Sequence, residues 1–150
     1  MATLLLITAF VLVALGWILF NAQKRPPELE RGTLAGPGTF EVEVVGESHY
    51  QKALEKLCGG RTEDSAEKKC QATLVLEDSN PYDSNAVRID VDGATVGYLP
   101  RDTAKVYRQR LKEAGHPQLL GTCDAVIRGG WDRGNGDKGS FGIRLDLPTS

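Results

Sequence analysis

The residues best suited to bind a ligand lie in one short turn and in the strand that follows it. Pro81 presets its own backbone angle, and Asn80 and Asp83 can hydrogen-bond nearby backbone, so the segment predicts a tight turn. Residues 87–91 alternate between apolar and charged side chains and predict a half-buried strand. A turn alone does not require Tyr82. Because a ring beside a carboxylate can stack on a flat ligand and accept a hydrogen bond from it, this pair indicates a binding surface.

Motifs of nucleotide chemistry and of hydrolysis are missing or accidental. Residues 134–139 match the spacing G-x-G-x-x-G, but a strand is predicted after them, whereas a dinucleotide-binding fingerprint opens a helix. We interpret this segment as a hairpin loop. The sequence contains no G-x-x-x-x-G-K-S/T motif, which would indicate a P-loop motor. It also contains no G-x-S-x-G elbow, which would indicate a hydrolase. We therefore expect a protein that is not an enzyme and needs no cofactor.

The cysteines and histidines do not follow the pattern of a metal site. Cys58 and Cys70 flank a polar stretch, and Cys123, His49 and His116 lie elsewhere. They lack the paired short spacing of a structural zinc site, and the sequence contains no C-x-x-C. We expect free thiols and no bound metal.

The N-terminal residues 3–20 form an apolar run, and no charged side chain precedes Lys24. The run is just long enough to cross a bilayer as a helix, so we predict a single transmembrane span. A cleaved signal peptide would normally begin with a basic residue and end at an Ala-x-Ala-like site, and the run has neither. Lys24, Arg25 and Arg31 follow it, so the positive-inside rule predicts an inner-membrane protein whose C-terminal body faces the reducing cytoplasm.

The body of the chain is mildly acidic. From residue 36 onward it carries 15 Lys and Arg against 18 Asp and Glu, a formal charge of −3. Proteins that coat long stretches of nucleic acid usually have a clear cationic excess, because neutralised phosphates supply most of their non-specific affinity. Any nucleic-acid role must therefore depend on few phosphates and on local chemistry.

Composition divides the chain into three parts. Residues 21–38 mix charge, proline and glycine without apolar periodicity and predict a flexible linker, which leaves residues 39–148 as one domain. Apolar alternation in this domain predicts about six short strands. They cover residues 40–44, 72–76, 87–91, 94–99, 119–128 and 141–147. Asp92 and Gly93, between the third and the fourth strand, are the signal of a type I′ hairpin.

Two helices are predicted among these strands. Ser48 and Gln51 match a capping box, and the helix after them should end at Gly59. The second helix is predicted after Pro100, and residues 61–69 predict a polar surface loop. Because repeated helical crossovers between strands are not predicted, we expect a mainly β fold with two short helices, an OB-like small antiparallel β-barrel.

Four segments, taken in their order and spacing, resemble the HIRAN domain. They are residues 45–50 (VGESHY), 80–87 (NPYDSNAV), 96–101 (VGYLPR) and 141–143 (FGI). The resemblance covers nearly all of residues 39–147. HIRAN domains occur at the N-terminus of DNA-repair helicase-like ATPases and also alone in bacterial and phage proteins. This chain is similar to a stand-alone bacterial-type member with a membrane anchor.

The resemblance implies a barrel that grips the 3′ end of single-stranded DNA and splays the terminal bases onto aromatic rings. By position, Tyr82 resembles a base-stacking ring, and Asp83 resembles the acceptor of the terminal 3′-hydroxyl. Phe141 resembles a second stacking ring, and Arg101 resembles a contact to phosphate or sugar.

The sequence departs from the helicase-linked members in two places. Ser48 stands where they carry a basic residue ahead of two aromatics, here His49 and Tyr50, and Tyr98 replaces a histidine. These changes keep stacking possible and weaken the phosphate grip. Stacking still contributes about 1–3 kcal/mol per base, and helix N-termini expected near Ser48 and Arg101 would offer amides to a phosphate. An acidic domain can thus hold an anionic ligand.

Purely structural roles stay open for the same residues. Tyr50 and Tyr98 can be core rings, Asp83 can merely close its turn, and Arg101 can be solvated. The leading hypothesis is a membrane-tethered module that binds nucleic acid, most simply the 3′ end of single-stranded DNA. The alternative is a membrane-anchored adaptor that binds a protein, of unknown identity, through the same aromatic groove. A zinc-binding or hydrolytic role is a weaker alternative that follows from family association alone.

Overall fold

The computed structural model describes residues 29–148. Within this range, two α-helices, α1 (Gln51–Cys58) and α2 (Arg101–Glu113), accompany a 3-10 turn at Glu47–His49, and seven strands form one sheet. The strands are β1 (Arg31–Thr33), β2 (Val42–Glu43), β3 (Ala66–Leu76), β4 (Val87–Val91), β5 (Ala94–Tyr98), β6 (Leu120–Gly129) and β7 (Phe141–Leu145). The fold is mainly β with two helices, as the sequence predicts.

Six of the strands form a curled antiparallel half-barrel in the order β2-β7-β6-β3-β4-β5, and the short β1 pairs with β6 in parallel. Just after β2, Val45 exchanges two backbone hydrogen bonds with Tyr98 of β5, at 2.8 and 2.9 Å. This pair links the two ends of the sheet. It also places the segment that leads into α1 beside β5.

The hydrophobic core lies inside the half-barrel, because alternate residues of each strand point to the same face. In β4, Val87, Ile89 and Val91 are buried, and the charged residues between them are half-buried. Leu54 of α1 and Ala104 of α2 join this core from the helices. The core therefore holds both helices against the sheet.

Gly97 permits the close approach that links the two ends of the sheet. A Cβ added there would lie 2.4 Å from Val44 Cγ1 and 2.7 Å from the Val45 carbonyl oxygen. Gly97→Ala is therefore expected to push this segment off β5 and to lower the free energy of unfolding by about 1–3 kcal/mol, measured by denaturant titration. Gly142→Ala in β7 is the control, because its Cβ would meet Glu47 Oε1 at an ordinary 3.6 Å. Equal losses for the two variants would contradict the steric role.

Most predicted elements are confirmed, with one strand longer than expected. Asp92 and Gly93 have φ angles of 49° and 77° and form the predicted hairpin turn between β4 and β5. The surface loop predicted at residues 61–69 is wrong at its end, because residues 66–69 begin β3. Their backbone pairs with β6 while most of their side chains are exposed, so apolar alternation could not reveal the strand.

Part of the segment predicted as a linker joins the fold. Residues 31–33 form β1 against β6. The buried carboxylate of Asp146 accepts hydrogen bonds from the amides of Gly38 and Thr39, at 2.9 and 3.1 Å. Hydrogen bonds to a charged acceptor typically stabilise by about 1.5–3 kcal/mol. A flexible linker therefore does not extend through residue 38.

The predicted capping box is wrong. Among the described residues no side chain caps α1, which begins at Gln51 after the 3-10 turn that contains Ser48. Gln51 instead reaches β7, where its Nε2 donates to the Phe141 carbonyl and its Oε1 accepts from the Phe141 amide, both at 2.9 Å. The side-chain amide of Gln51 thus makes the two hydrogen bonds with the Phe141 backbone that a neighbouring strand would make. It connects α1 to the start of β7.

The predicted transmembrane span, residues 3–20, lies outside the described residues. Between residues 29 and 148, the structure contains no helix that is both long and apolar enough to cross a membrane.

Candidate nucleic-acid interface

The turn between β3 and β4 is fixed by its own side chains. Asn80 Oδ1 accepts hydrogen bonds from the amides of Tyr82 and Asp83, at 2.9 and 3.2 Å. Asp83 Oδ1 accepts from the amide of Asn85 at 2.8 Å. The Tyr82 residue at the tip is 88% exposed. The turn therefore presents a large ring to solvent on a backbone that is already hydrogen-bonded.

Arg101 and Asp83 lie side by side at this turn. Arg101 Nε is 3.8 Å from Asp83 Oδ2, and the arginine side chain is 75% exposed. The other carboxylate oxygen of Asp83, Oδ1, holds the turn, so Oδ2 is the oxygen that lies beside Arg101. Arg101 is also the first residue of α2, and among the described residues no side chain caps that helix. Its first amides are thus available to an anion beside the same carboxylate.

A half-buried polar cluster supports the turn from below. Glu77 accepts hydrogen bonds from Asn80 Nδ2 at 2.8 Å and from Arg88 Nη1 at 2.7 Å, and Arg88 also binds Asp90 at 2.9 and 3.0 Å. Burial alone would raise the pKa of Glu77, but the hydrogen bonds from Asn80 and Arg88 outweigh it and hold the pKa below its usual value. Sequence reasoning missed Glu77 and Arg88. Charged residues at alternate positions of a half-buried strand, here Arg88 and Asp90, are the signal that could have found them.

Tyr98 and Tyr50 adjoin this cluster, and both are half-buried. Burial is the main reason that the pKa of Tyr98 rises to about 12, and the neighbouring side chains of Glu77 and Tyr50 add to the shift. Tyr98 thus lies near Glu77, which accepts a hydrogen bond from Asn80 of the turn. Tyr50 and Tyr98 belong to two of the four segments that carry the resemblance, and each ring leaves part of its surface exposed.

The raised pKa of Tyr98 makes the fold sensitive to alkali. Because the folded-state pKa of about 12 exceeds the ordinary value of 10, protonated Tyr98 stabilises the fold below pH 10, and this contribution is lost as the pH rises through 12. Ultraviolet titration of tyrosinate should show two late ionisations, and Tyr98→Phe should remove one of them. Tyr107→Phe is the comparison, because burial raises the pKa of Tyr107 to about 12 as well and this variant should remove the other. A Tyr98 that ionises near pH 10 would contradict its placement in the half-buried cluster.

Ser48 and His49 are exposed in the 3-10 turn beside β5. The amides of His49 and Tyr50 donate to the carbonyls of Gly46 and Glu47, at 3.1 and 2.9 Å. The α-helix begins three residues after Ser48, at Gln51, and the amides of His49 and Tyr50 before it are used within the turn. Ser48 can offer its hydroxyl, and His49 its ring, from this position.

Phe141 does not lie with the exposed residues of the turn. It is 2% exposed, and the Arg61 guanidinium covers its ring at 4.8 Å from the centroid. A Cβ on Gly130 would lie 1.9 Å from Phe141 Cε1, so the ring fills the space of the absent side chain. The structure thus makes Phe141 a core ring that no base can reach without rearrangement. Alternation along a strand assigns its residues to two faces of the sheet, but it does not show which face is buried. The burial of Phe141 could therefore not be predicted from the sequence.

The described thiols are poor nucleophiles. Burial is the largest cause that raises the pKa of Cys70 to about 11 and that of Cys123 to about 12, and it also raises the pKa of Cys58. Among residues 29–148, no three His, Cys, Asp or Glu side chains are grouped as metal ligands would be.

The chain is thus a small β module, a curled half-barrel in which an exposed ring and a carboxylate on one turn lie beside the guanidinium of Arg101 at the start of α2. Within that class, the chain belongs to the HIRAN domain family. The family model described as HIRAN domain matches residues 37–127, more than half of the chain. Membership of this family suggests nucleic-acid binding. No curated protein and no solved structure gives a significant match to the chain.

Proposed function

We propose that the domain captures the 3′ end of a single-stranded DNA through the turn that carries Tyr82. The exposed ring is the observation that carries the proposal. Tyr82 is 88% exposed, so its ring contributes no stability through burial. The turn beneath it is nevertheless held by three internal hydrogen bonds. A preorganised ring of this kind stacks on any base and loses little entropy in doing so.

The neighbours of the ring suit a strand terminus. A terminal 3′-hydroxyl can donate to Asp83 Oδ2, and the last phosphate can approach Arg101 and the amides at the start of α2. A phosphate in place of the hydroxyl would bring its negative charge against the Asp83 carboxylate. The pair therefore favours a free 3′-hydroxyl over a phosphorylated end.

Tyr50 and Tyr98 supply further stacking surface in this proposal, and His49 and Ser48 lie at its edge. Because these two rings are partly exposed, a second base that does not stack on Tyr82 can contact them. The half-barrel would then be used as OB-like barrels are, with ligands bound by rings on one face. Phe141 has no part in it.

The proposal includes a membrane tether and no catalysis. Residues 3–20 would cross the inner membrane, and the basic residues after them would keep the domain in the cytoplasm. The domain would act there as a binding module for nucleic acid.

Fluorescence anisotropy with a short labelled oligonucleotide tests the proposal. The full chain in mild detergent is titrated at low salt against single strands with a free 3′-hydroxyl, with a 3′-phosphate, and against RNA and duplex of the same sequence. We expect tightest binding to the single-stranded DNA with the free 3′-hydroxyl. If none of these ligands binds, the protein-binding adaptor becomes the better hypothesis.

A further inference from the structure

We propose that a strand held at Tyr82 continues along one flank of α2, where Arg101, Lys105 and Lys112 contact its phosphates. This inference rests on the proposed function and adds the path that the strand takes beyond its terminal nucleotide.

Helical periodicity gathers the basic residues of α2 on one side. Arg101, Lys105, Arg108 and Lys112 are spaced by four, seven and eleven residues from the first, which places them within about 60° around the helix axis. We call these four residues the basic flank. The remaining basic residue of the helix, Arg110, lies on the opposite side. The basic flank is about 16 Å long at the helical rise of 1.5 Å per residue.

The basic flank lies directly against the turn that carries Tyr82. Arg101 approaches Asp83 at 3.8 Å, and Arg108 Nε donates to the Asn85 carbonyl at 3.0 Å. A strand that leaves the turn in the direction of the helix C-terminus would therefore pass over these cations first.

Three cations of the basic flank are available to a ligand. Arg108 is committed, because its side chain is only 10% exposed and pairs with Asp78 at 2.6 Å. Lys105 and Lys112 are exposed, and among residues 29–148 neither forms an ion pair. Together with the exposed Arg101, they give the flank a local positive charge that the acidic domain as a whole does not have.

A length series of oligonucleotides tests this path on the full chain. Lys105→Gln/Lys112→Gln removes two charges from the basic flank. The control, Lys52→Gln/Lys56→Gln, removes two exposed charges from α1, which also form no ion pair among the described residues. With an octanucleotide, we expect Lys105→Gln/Lys112→Gln to bind about 5- to 30-fold more weakly than the parent. The slope of log affinity against log salt concentration should become shallower by about 1.4. With a dinucleotide, both variants should bind as the parent does.

The outcomes separate this inference from the proposed function. If the dinucleotide binds but the octanucleotide binds no tighter, or if the control pair loses as much as the α2 pair, the path along α2 is wrong and capture at Tyr82 stands. If no oligonucleotide of any length binds the parent chain, the proposed function itself fails.

Discussion

Tyr82→Ala is expected to weaken binding of single-stranded DNA by about 5- to 150-fold, whether the 3′ end is free or phosphorylated. The range follows from about 1–3 kcal/mol for one base stacked on one ring. Because the ring is 88% exposed, its loss should change the free energy of unfolding by less than about 0.5 kcal/mol. Anisotropy titration measures the affinity, and denaturant titration measures the stability.

Tyr82→Phe separates stacking from hydrogen bonding by the phenol. It keeps the ring and removes the hydroxyl, so it should bind within about twofold of the parent. If Tyr82→Ala binds as tightly as the parent, the ring has no role in nucleic-acid binding. If Tyr82→Phe loses as much as Tyr82→Ala, the hydroxyl and not the ring face makes the contact.

Asp83→Asn is expected to abolish the preference for a free 3′-hydroxyl over a 3′-phosphate. The preference in the parent should be about 10- to 150-fold, since a hydrogen bond to a charged acceptor contributes about 1.5–3 kcal/mol. Asparagine can keep the acceptor for the Asn85 amide, which Asp83 binds at 2.8 Å, while it removes the charge that faces Arg101. The measurement is the ratio of the two dissociation constants.

Asp83→Ala is the informative comparison for this carboxylate. It removes the turn hydrogen bond as well as the charge, so it should also loosen the turn and weaken binding of both ends. If Asp83→Asn keeps the ratio of the two dissociation constants found for the parent, while Asp83→Ala weakens binding of both ends, the carboxylate only closes its turn.

Local chemistry made the turn itself predictable. Asn80, Pro81 and Asp83 each favour a turn through their own backbone or side chain, and the strand after them alternates regularly. The hairpin at Asp92 and Gly93 is confirmed for the same reason. Family likeness in these stretches also gave the correct family.

Tertiary pairing made other features unpredictable. Gln51 was expected to cap its own helix, but it pairs with the backbone of Phe141, ninety residues away. Residues 67–69 are charged, and residues 66–69 gain strand structure from pairing with β6. The alternation of residues 141–147 is the same whether Phe141 faces solvent or the core. In the structure, Arg61 covers the Phe141 ring and the ring fills the space beside Gly130. Contacts of this kind depend on distant partners, which neither spacing nor composition reveals.

Cross-linking at the strand terminus tests the central claim most directly. A photoreactive halogenated uracil is placed at the 3′-terminal or at the 5′-terminal nucleotide of one oligonucleotide, and the cross-linked peptide of the full chain is mapped by mass spectrometry. We expect the 3′-terminal probe to cross-link to Tyr82 and the 5′-terminal probe not to reach it. Cross-links that avoid residues 80–87, or that form at Tyr82 equally from both termini, would contradict capture of a 3′ end at this turn.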